Sequence, residues 1–325
     1  METTDNALLR IGQMLKARQY SFTTITPASH ATIMKRRVAE DTPVAPTSAP
    51  LQDVFGRNLP FHVSAVEPTL LADLAAAEAI QEVVSKPGMM RSRVRFSTIG
   101  SQIFCHSAFP TIGTGAVFFG PDTYRFVRSI GQMSPWPDGG NWTLRVADIG
   151  SGSGAGGICS AKLIRGEKIE LVLADINPAA VRISRVNAAL NGQPALAVQS
   201  DLLDAIEGSF DLVISNPPYL VDPVGRTYRD GGGSLGIDLS VRIVKESVQR
   251  LSARGRLLLY TGTPVVDGID MFLAQQHPLL RDIGLPFFYE EVDPDVFGDE
   301  LGTPPYRHAD RLAAVVLTVS MQGLQ

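Results

Sequence analysis

The sequence predicts a doubly wound α/β fold, in which a largely parallel sheet carries helices on both faces. From residue 144 onward, short apolar runs of strand length alternate with helical segments, which is the pattern of repeated β-α-β units. Two further apolar runs follow, and we expect them to form an antiparallel pair that closes the sheet. The seven predicted strands lie near residues 144–149, 169–175, 194–199, 211–215, 255–260, 286–292 and 312–319. A sheet of this type binds its ligand at the carboxyl ends of the parallel strands.

The first 110 residues have a different pattern and predict a smaller, mainly helical domain, followed by a second domain at residues 111–325. Helices are expected at residues 6–18, 28–39, 51–55, 66–74 and 75–84, with a Pro-rich connector at residues 41–50. Residues 94–104 predict a hairpin that turns at Gly100-Ser101. Short helices followed by a two-stranded wing suggest a winged-helix module for substrate recognition.

Composition describes an ordinary globular protein. The 325 residues are 44% hydrophobic and 19% charged, and no apolar run approaches the roughly 20 residues of a membrane-spanning helix. The first residues are acidic and do not resemble a secretion signal. Cys105 and Cys159 form no metal-binding pattern. We therefore expect a cytoplasmic protein with reduced cysteines, no metal and no membrane partner.

The two predicted domains differ in charge. Residues 1–110 contain 11 Lys and Arg against 9 Asp and Glu, whereas residues 111–325 contain 18 against 24. Arg91, Arg93 and Arg95 alternate into the predicted hairpin, so strand periodicity would place them on one face that could follow a phosphate backbone. A solvated charged face is the alternative interpretation.

A glycine loop follows the first predicted strand of the second domain. Asp148 is followed by Gly150, Gly152 and Gly154, which allow a close backbone approach to a ligand and a sharp turn into a helix. Residues 152–157 also fit the weak dinucleotide pattern GxGxxG, which would indicate a nicotinamide enzyme. Asp148 favours a cationic ligand instead, because a carboxylate at this position would repel a pyrophosphate.

Polar side chains end each of the next three strands. Asp175 ends the second strand and is suited to accept hydrogen bonds from two ribose hydroxyls, and Asp201 follows the third and is suited to an adenine amino group. The sequence Asn216-Pro217-Pro218-Tyr219 follows the fourth. Each feature alone is compatible with a helix cap or a turn, but their order within one strand and helix run indicates a single site.

The Asn-Pro-Pro-Tyr sequence indicates methyl transfer to nitrogen. A planar amide or base amino group is a poor nucleophile, so its NH2 must be held by acceptors that favour the attacking geometry. The Asn216 side-chain carbonyl and the Pro217 backbone carbonyl are such acceptors, and the two prolines keep the edge rigid and remove donors. We expect Tyr219 to offer a flat face on which a planar substrate stacks.

These motifs resemble those of class I S-adenosylmethionine-dependent methyltransferases of the small-domain type, with a Rossmann-like sheet, over residues 113–325. The Asn-Pro-Pro-Tyr form resembles the release-factor glutamine methyltransferases and the adenine amino methyltransferases. Pro121-Asp122-Thr123 and the Gly-rich residues 228–238 are similar to segments of the glutamine-modifying branch. The resemblance implies S-adenosylmethionine as the cofactor, held by Thr123, Asp148, Gly150, Ser151, Gly152, Gly154, Asp175, Ile176, Asp201, Leu202 and Asn216.

The leading hypothesis is an N-methyltransferase in which residues 216–219 hold the acceptor. We expect the acceptor to be a protein glutamine side chain or an RNA or DNA base, which we place near parity, with a natural-product nitrogen as a third alternative. Two other classes remain open: a methyltransferase fold that serves as a binding or scaffold subunit, and an NAD-dependent oxidoreductase.

Overall fold

The computed structural model describes residues 3–39, 50–111, 113, 115–133, 143–164 and 168–322. Its main sheet contains the seven predicted strands and has helices on both faces, so the doubly wound α/β prediction is confirmed. The strands are β6 (Thr143–Ile149), β7 (Lys168–Asp175), β8 (Leu196–Gln199), β9 (Phe210–Ser215), β10 (Leu251–Val266), β12 (Phe287–Asp293) and β13 (Arg311–Ser320). A two-residue strand, β11 (Ile269–Asp270), forms a hairpin with the end of β10.

The strand order across this sheet is β12-β13-β10-β9-β6-β7-β8. The five strands from β6 to β10 are mutually parallel, and β13 is antiparallel to both of its neighbours. The predicted antiparallel closing pair is therefore confirmed. The order of the chain reverses between β6 and β9, which creates the crevice where sheets of this kind bind ligands.

In the described part of the chain, the main sheet is covered by the helices α4 (Pro121–Gln132), α5 (Ala155–Leu163), α6 (Pro178–Leu190), α7 (Asp238–Gln249) and α8 (Met271–Ile283). Neighbouring strand residues face opposite sides, as the period of two requires. Val146 packs in one core with side chains of α4 and α5, whereas Ala147 packs in another with side chains of α7 and α8.

Among the described residues, the first 110 include three α-helices and five short strands. The helices are α1 (Thr3–Ala17), α2 (Pro27–Ala39) and α3 (Pro68–Ala76). The strands are β1 (Phe61–His62), β2 (Ile80–Glu82), β3 (Met89–Ser92), β4 (Val94–Ile99) and β5 (Gln102–Ser107). β1, β3 and β2 form a small sheet, and β4 and β5 form the predicted hairpin. The predicted connector at residues 41–50 lies outside the described residues except for Pro50.

One local prediction was wrong, and one helix differs in type. The short helix expected at residues 51–55 forms as a π-helical turn at Gln52–Gly56. The helix expected at residues 75–84 does not form, because α3 ends at Ala76 and Glu78 has a left-handed φ of 55°, from which the chain continues into β2. A right-handed helix cannot continue through a residue in that conformation.

The predicted wing and its arginine face were also wrong. The hairpin β4–β5 is mostly buried, and β5 packs against α1 and α6. Arg91 belongs to β3, Arg93 lies between two different sheets, and Arg95 is buried with its Nε donating to the Gly56 carbonyl at 2.7 Å. The three side chains therefore do not form one exposed basic face.

Helix α6 joins the first 110 residues to the main sheet. Its apolar residues Ile183 and Val186 share a core with Leu8 and Ile11 of α1. Asn187, fully buried in α6, accepts a hydrogen bond from the Cys105 amide at 2.8 Å and donates to the Cys105 carbonyl at 2.9 Å and to the Ser153 carbonyl at 2.8 Å. One amide thus links the hairpin to the glycine loop. The division into two domains near residue 110 stays a prediction.

We expect Asn187→Ala to lower the free energy of unfolding by about 2–4 kcal/mol, because it leaves three buried backbone groups without partners. Urea denaturation would measure this loss. Gln193→Ala is the matched control, since its exposed amide makes only a local bond to Pro194. A loss no larger than that of the control would contradict the linking role.

Candidate functional site

The register of three parallel strands brings the predicted site residues together. Ile149 of β6 is paired with Ser215 of β9 and with Ala174 of β7. The next residues along these strands are Gly150, Asn216 and Asp175, so they emerge side by side at one sheet edge. Ser215 tightens the junction, because its hydroxyl donates to the Ile149 carbonyl at 2.8 Å.

A cavity of about 940 Å³ lies at this edge, within the size range of small-molecule sites. All the predicted cofactor and acceptor residues line it except Gly154, which precedes the first residue of α5. The lining also includes residues 26–28 of the N-terminal part and residues 295–300 of the loop before β13.

The glycine loop leads into α5, and Asp148 anchors the first turn of that helix. Gly150, Gly152 and Gly154 have φ of 65°, 52° and 75°, a conformation that side chains strongly disfavour. The Asp148 carboxylate is 1% exposed and accepts a hydrogen bond from the Gly157 amide at 2.7 Å. Burial raises the pKa of Asp148 to about 7; the Gly157 amide lowers this pKa and the nearby Asp175 carboxylate raises it.

Asp175 supports the same loop from β7. One carboxylate oxygen accepts from the Gly152 amide at 2.8 Å and the other from the Asn177 amide at 2.9 Å. Two carboxylate oxygens have about four acceptor positions, so capacity remains for hydroxyls in the cavity. Ser151 is also buried, and its hydroxyl has no hydrogen-bond partner among the described residues. A buried hydroxyl of this kind at a cavity wall fits a bound polar group.

The third strand end is more exposed. Asp201 forms an ion pair with Arg242 of α7 at 2.7 Å, and Arg242 also contacts Glu246. Leu202 has an unusual left-handed φ of 47°, which turns the chain at the cavity wall. Ile176 is 56% exposed and provides apolar surface there. Arg242 was missed from the sequence, because no motif marks a helical residue that reaches a neighbouring strand end.

Thr123 and Asn216 differ in whether their side-chain polar atoms have hydrogen-bond partners within the described protein. The Thr123 hydroxyl accepts from the Gly120 amide at 3.2 Å at the start of α4. The half-buried Asn216 side chain makes no hydrogen bond to any other described residue. Its carboxamide, which lines the cavity, is therefore available to a ligand.

Tyr219 differs from its prediction. Its side chain is 8% exposed, its hydroxyl donates to Asp122 at 2.8 Å, and its ring lies so close to Gly262 that a Cβ there would be 2.1 Å from it. Phe297 meets the ring edge-on, with centroids 5.8 Å apart. The prediction that Tyr219 offers an open stacking face is wrong, because the ring is covered by protein.

Exposed aromatic surface in the cavity comes instead from Phe118 and Tyr228. Phe118 is 38% exposed, and its ring is nearly parallel to that of Tyr228, at 8° between planes and 6.1 Å between centroids. The Tyr228 hydroxyl is anchored to the Thr111 carbonyl. Neither residue was assigned a role from the sequence, although Tyr228 begins the Gly-rich segment at residues 228–238.

Two further observations concern the described part of the chain. There, no three His, Cys, Asp or Glu side chains come together in a group that could hold a metal ion. No helix in the same residues has the length and hydropathy needed to cross a membrane.

Comparison with known proteins gives a consistent result. Residues 140–264 match the family model described as the methyltransferase small domain. The release factor glutamine methyltransferase of Koribacter versatilis is 32% identical over 178 residues, which cover 50% of this chain and 58% of that protein. The ribosomal RNA small subunit methyltransferase C of Salmonella arizonae is 28% identical over 113 residues, covering 35% of this chain and 30% of that protein.

Among solved structures, the T. Thermophilus 16S rRNA N2 G1207 methyltransferase aligns with a TM-score of 0.45 and 18% identity, over 81% of this chain and 64% of that one. The chain spans about half the length of the release factor methyltransferases that it matches.

The strand order and the match over residues 140–264 agree with the predicted resemblance to class I S-adenosylmethionine-dependent methyltransferases.

The buried Asp148 makes stability depend on pH. Because its pKa is raised to about 7 in the folded protein, the native state holds this proton more tightly than the unfolded chain does. This stabilisation is complete below about pH 4 and is lost as the pH rises through about 7. We expect the unfolding free energy of the wild type, relative to Asp148→Asn, to fall by about 2 kcal/mol between about pH 5 and pH 7. Urea titrations at each pH test this; a constant difference would show that Asp148 is already ionised.

Proposed function

We propose that this protein is an N-methyltransferase that uses S-adenosylmethionine to methylate a planar nitrogen. The observation that carries the proposal is the Asn216 carboxamide, which lines the cavity without a hydrogen-bond partner among the described residues. It lies at the end of β9, beside the glycine loop that ends β6. A donor site and an acceptor site thus meet at one sheet edge.

The residues around the glycine loop fit the proposed cofactor. The unpartnered Ser151 hydroxyl and the spare acceptor capacity of Asp175 suit the ribose and other polar groups. Asp148 suits a cation, because a positive charge nearby stabilises its ionised form. Asp201, already paired with Arg242, would offer its remaining oxygen and adjacent backbone to the adenine amino group.

The proposed chemistry requires orientation rather than a base. S-adenosylmethionine, when bound, supplies a methyl group on a positively charged sulfur that leaves as a neutral thioether. The Asn216 Oδ1 and the Pro217 carbonyl would accept hydrogen bonds from the acceptor NH2, which turns its lone pair toward the methyl carbon. The nitrogen becomes acidic as it gains the methyl group, so its proton can leave to solvent.

A protein glutamine is the acceptor that we favour. The arginine face that supported a nucleic acid is absent, since Arg95 is buried. Asp295 and Asp299 are exposed at the cavity and would repel a phosphate backbone. Relatives named for release factor glutamine and for ribosomal RNA both support N-methylation, and a base amino group is the second candidate. The cytoplasmic location stays a prediction.

Two substitutions separate the proposed roles. We expect Asp148→Ala to weaken S-adenosylmethionine binding at least tenfold, because it removes the carboxylate that supports the glycine loop. Asn216→Ala should leave that affinity within about twofold but lower methyl transfer by a factor on the order of 100, the scale of one lost orienting group. Calorimetry would measure binding, and transfer of a radiolabelled methyl group to a cell lysate would measure turnover. Asp282→Ala, an exposed carboxylate on α8, is the control.

The same labelled lysate distinguishes the acceptors. Label that protease removes and nuclease leaves would support the protein glutamine, and the opposite result would support a base. Cofactor binding without transfer to either fraction would favour the scaffold alternative. A thermal shift with NAD and none with S-adenosylmethionine would favour the oxidoreductase. Equal loss of cofactor binding in Asp148→Ala and Asn216→Ala would contradict the division of roles.

Phe118 gives a further test of a planar acceptor. Since the Tyr219 faces are covered, we expect the acceptor to stack on the exposed Phe118 ring. Phe118→Leu should raise the KM for the labelled acceptor fraction, by about tenfold for a base, since stacking of a base on an aromatic side chain is worth about 1–3 kcal/mol. Phe288→Leu, which changes an exposed phenylalanine on β12 outside the cavity lining, is the matched control. Equal KM values for the two variants would argue against stacking on Phe118.

A further inference from the structure

A buried carboxylate in α4 binds the segment Asn216–Tyr219, which we call the acceptor loop. Asp122 is 6% exposed, and each of its oxygens accepts a hydrogen bond from a tyrosine. Tyr219 of the acceptor loop donates to Oδ2 at 2.8 Å, and Tyr260 of β10 donates to Oδ1 at 2.9 Å. Asp122 therefore connects the acceptor loop, the sheet and the helix whose first turn contains Thr123.

The same cluster of side chains extends to the loop between β12 and β13, whose residues 295–300 line the cavity. We call this segment the rim loop. Arg125, one helical turn after Asp122, contacts Asp122 Oδ1 at 3.1 Å and Asp293 Oδ2 at 2.8 Å. Asp293 is the last residue of β12, just before the rim loop. Phe297 of that loop contacts the Tyr219 ring. The positions of two walls of the cavity therefore both depend on the Asp122 carboxylate.

The Tyr219 hydroxyl is positioned where it cannot act on substrate directly. It points to a buried carboxylate, while the ring is enclosed by Gly262 and Phe297. Burial raises the pKa of Asp122, and the two tyrosine hydroxyls lower it. Each tyrosine hydroxyl donates to a different oxygen of the carboxylate, so both oxygens of Asp122 have a partner.

We propose that Asp122 is a positioning residue: by binding the Tyr219 hydroxyl it fixes the orientation of the Asn216–Pro217–Pro218 edge relative to the cofactor site. The edge is three residues or fewer from Tyr219, and its prolines transmit the ring position rigidly because their φ angles are locked. A displacement of about 1 Å at such an edge is enough to lower turnover about 100-fold. The catalytic part of this inference rests on the proposed function.

The test compares two tyrosine–aspartate hydrogen bonds, one buried and one part-buried. Tyr219→Phe removes the bond to Asp122, and Tyr289→Phe removes the bond of Tyr289 to Asp270 at 2.6 Å, in which neither residue lines the cavity. The first readout is the NMR signal of the Asn216 side-chain NH2 in protein labelled with ¹⁵N-asparagine, identified by its loss in Asn216→Asp. It needs no acceptor. The second is methyl transfer to lysate at saturating S-adenosylmethionine, analysed as kcat and KM.

We expect Tyr219→Phe to shift or broaden the Asn216 signal and to lower kcat about tenfold, with cofactor affinity unchanged within about twofold. Tyr289→Phe should leave the signal and kcat as in the wild type. Asp122→Asn, which keeps the shape of the side chain but replaces one acceptor oxygen with a donor, should resemble Tyr219→Phe.

An unchanged Asn216 signal in Tyr219→Phe would overturn the inference, and so would equal effects of Tyr219→Phe and Tyr289→Phe on kcat. If no variant and no wild-type sample transfers methyl groups, the proposed function fails. The NMR comparison still decides whether Asp122 orients the edge.

Discussion

The parallel register of β7, β6 and β9 is the constraint on which the site depends. Because Ile149 is paired with both Ala174 and Ser215, the residues that follow these strands must meet at one edge. A shift of one residue would turn the alternate side chains of a strand toward the wrong core. The two cores on opposite faces therefore enforce the alignment of the glycine loop with Asn216. Packing far from the cavity thus determines its geometry.

The buried carboxylates of the site organise backbone as well as offering charge. Asp148 accepts from the Gly157 amide and Asp175 from the Gly152 amide, so the glycine loop is held in its shape by the protein itself. A loop that is already ordered loses less conformational entropy when a ligand binds. The raised pKa of Asp148 reflects the cost of keeping this group in a buried position. Burial of the Asp148 carboxylate lowers the stability of the fold near neutral pH, and the glycine loop is ordered before a ligand binds.

The N-terminal part is integrated with the sheet through α6. Its α1 shares a core with Ile183 and Val186, and Asn187 binds the hairpin and the glycine loop together. Residues 26–28 then reach the cavity wall. This packing explains why the hairpin is not a projecting wing: its apolar residues Ile103 and Cys105 need burial, and α6 provides it. Arg95 is buried with them, so its guanidinium donates to the Gly56 carbonyl rather than to a binding partner.

The sequence by itself determined the strands, their order along the chain and the residues that end them, because these depend on local periodicity and on motifs a few residues long. The positions of Asp148, Asp175 and Asn216 at one edge follow from that pattern and the general behaviour of parallel sheets. Only the tertiary structure decided where the Tyr219 hydroxyl points and which aromatic ring remains open. Its partner Asp122 is 97 residues away in the chain, and Tyr260 is 138 residues from that same carboxylate. Contacts at such separations arise from packing, which no local spacing records.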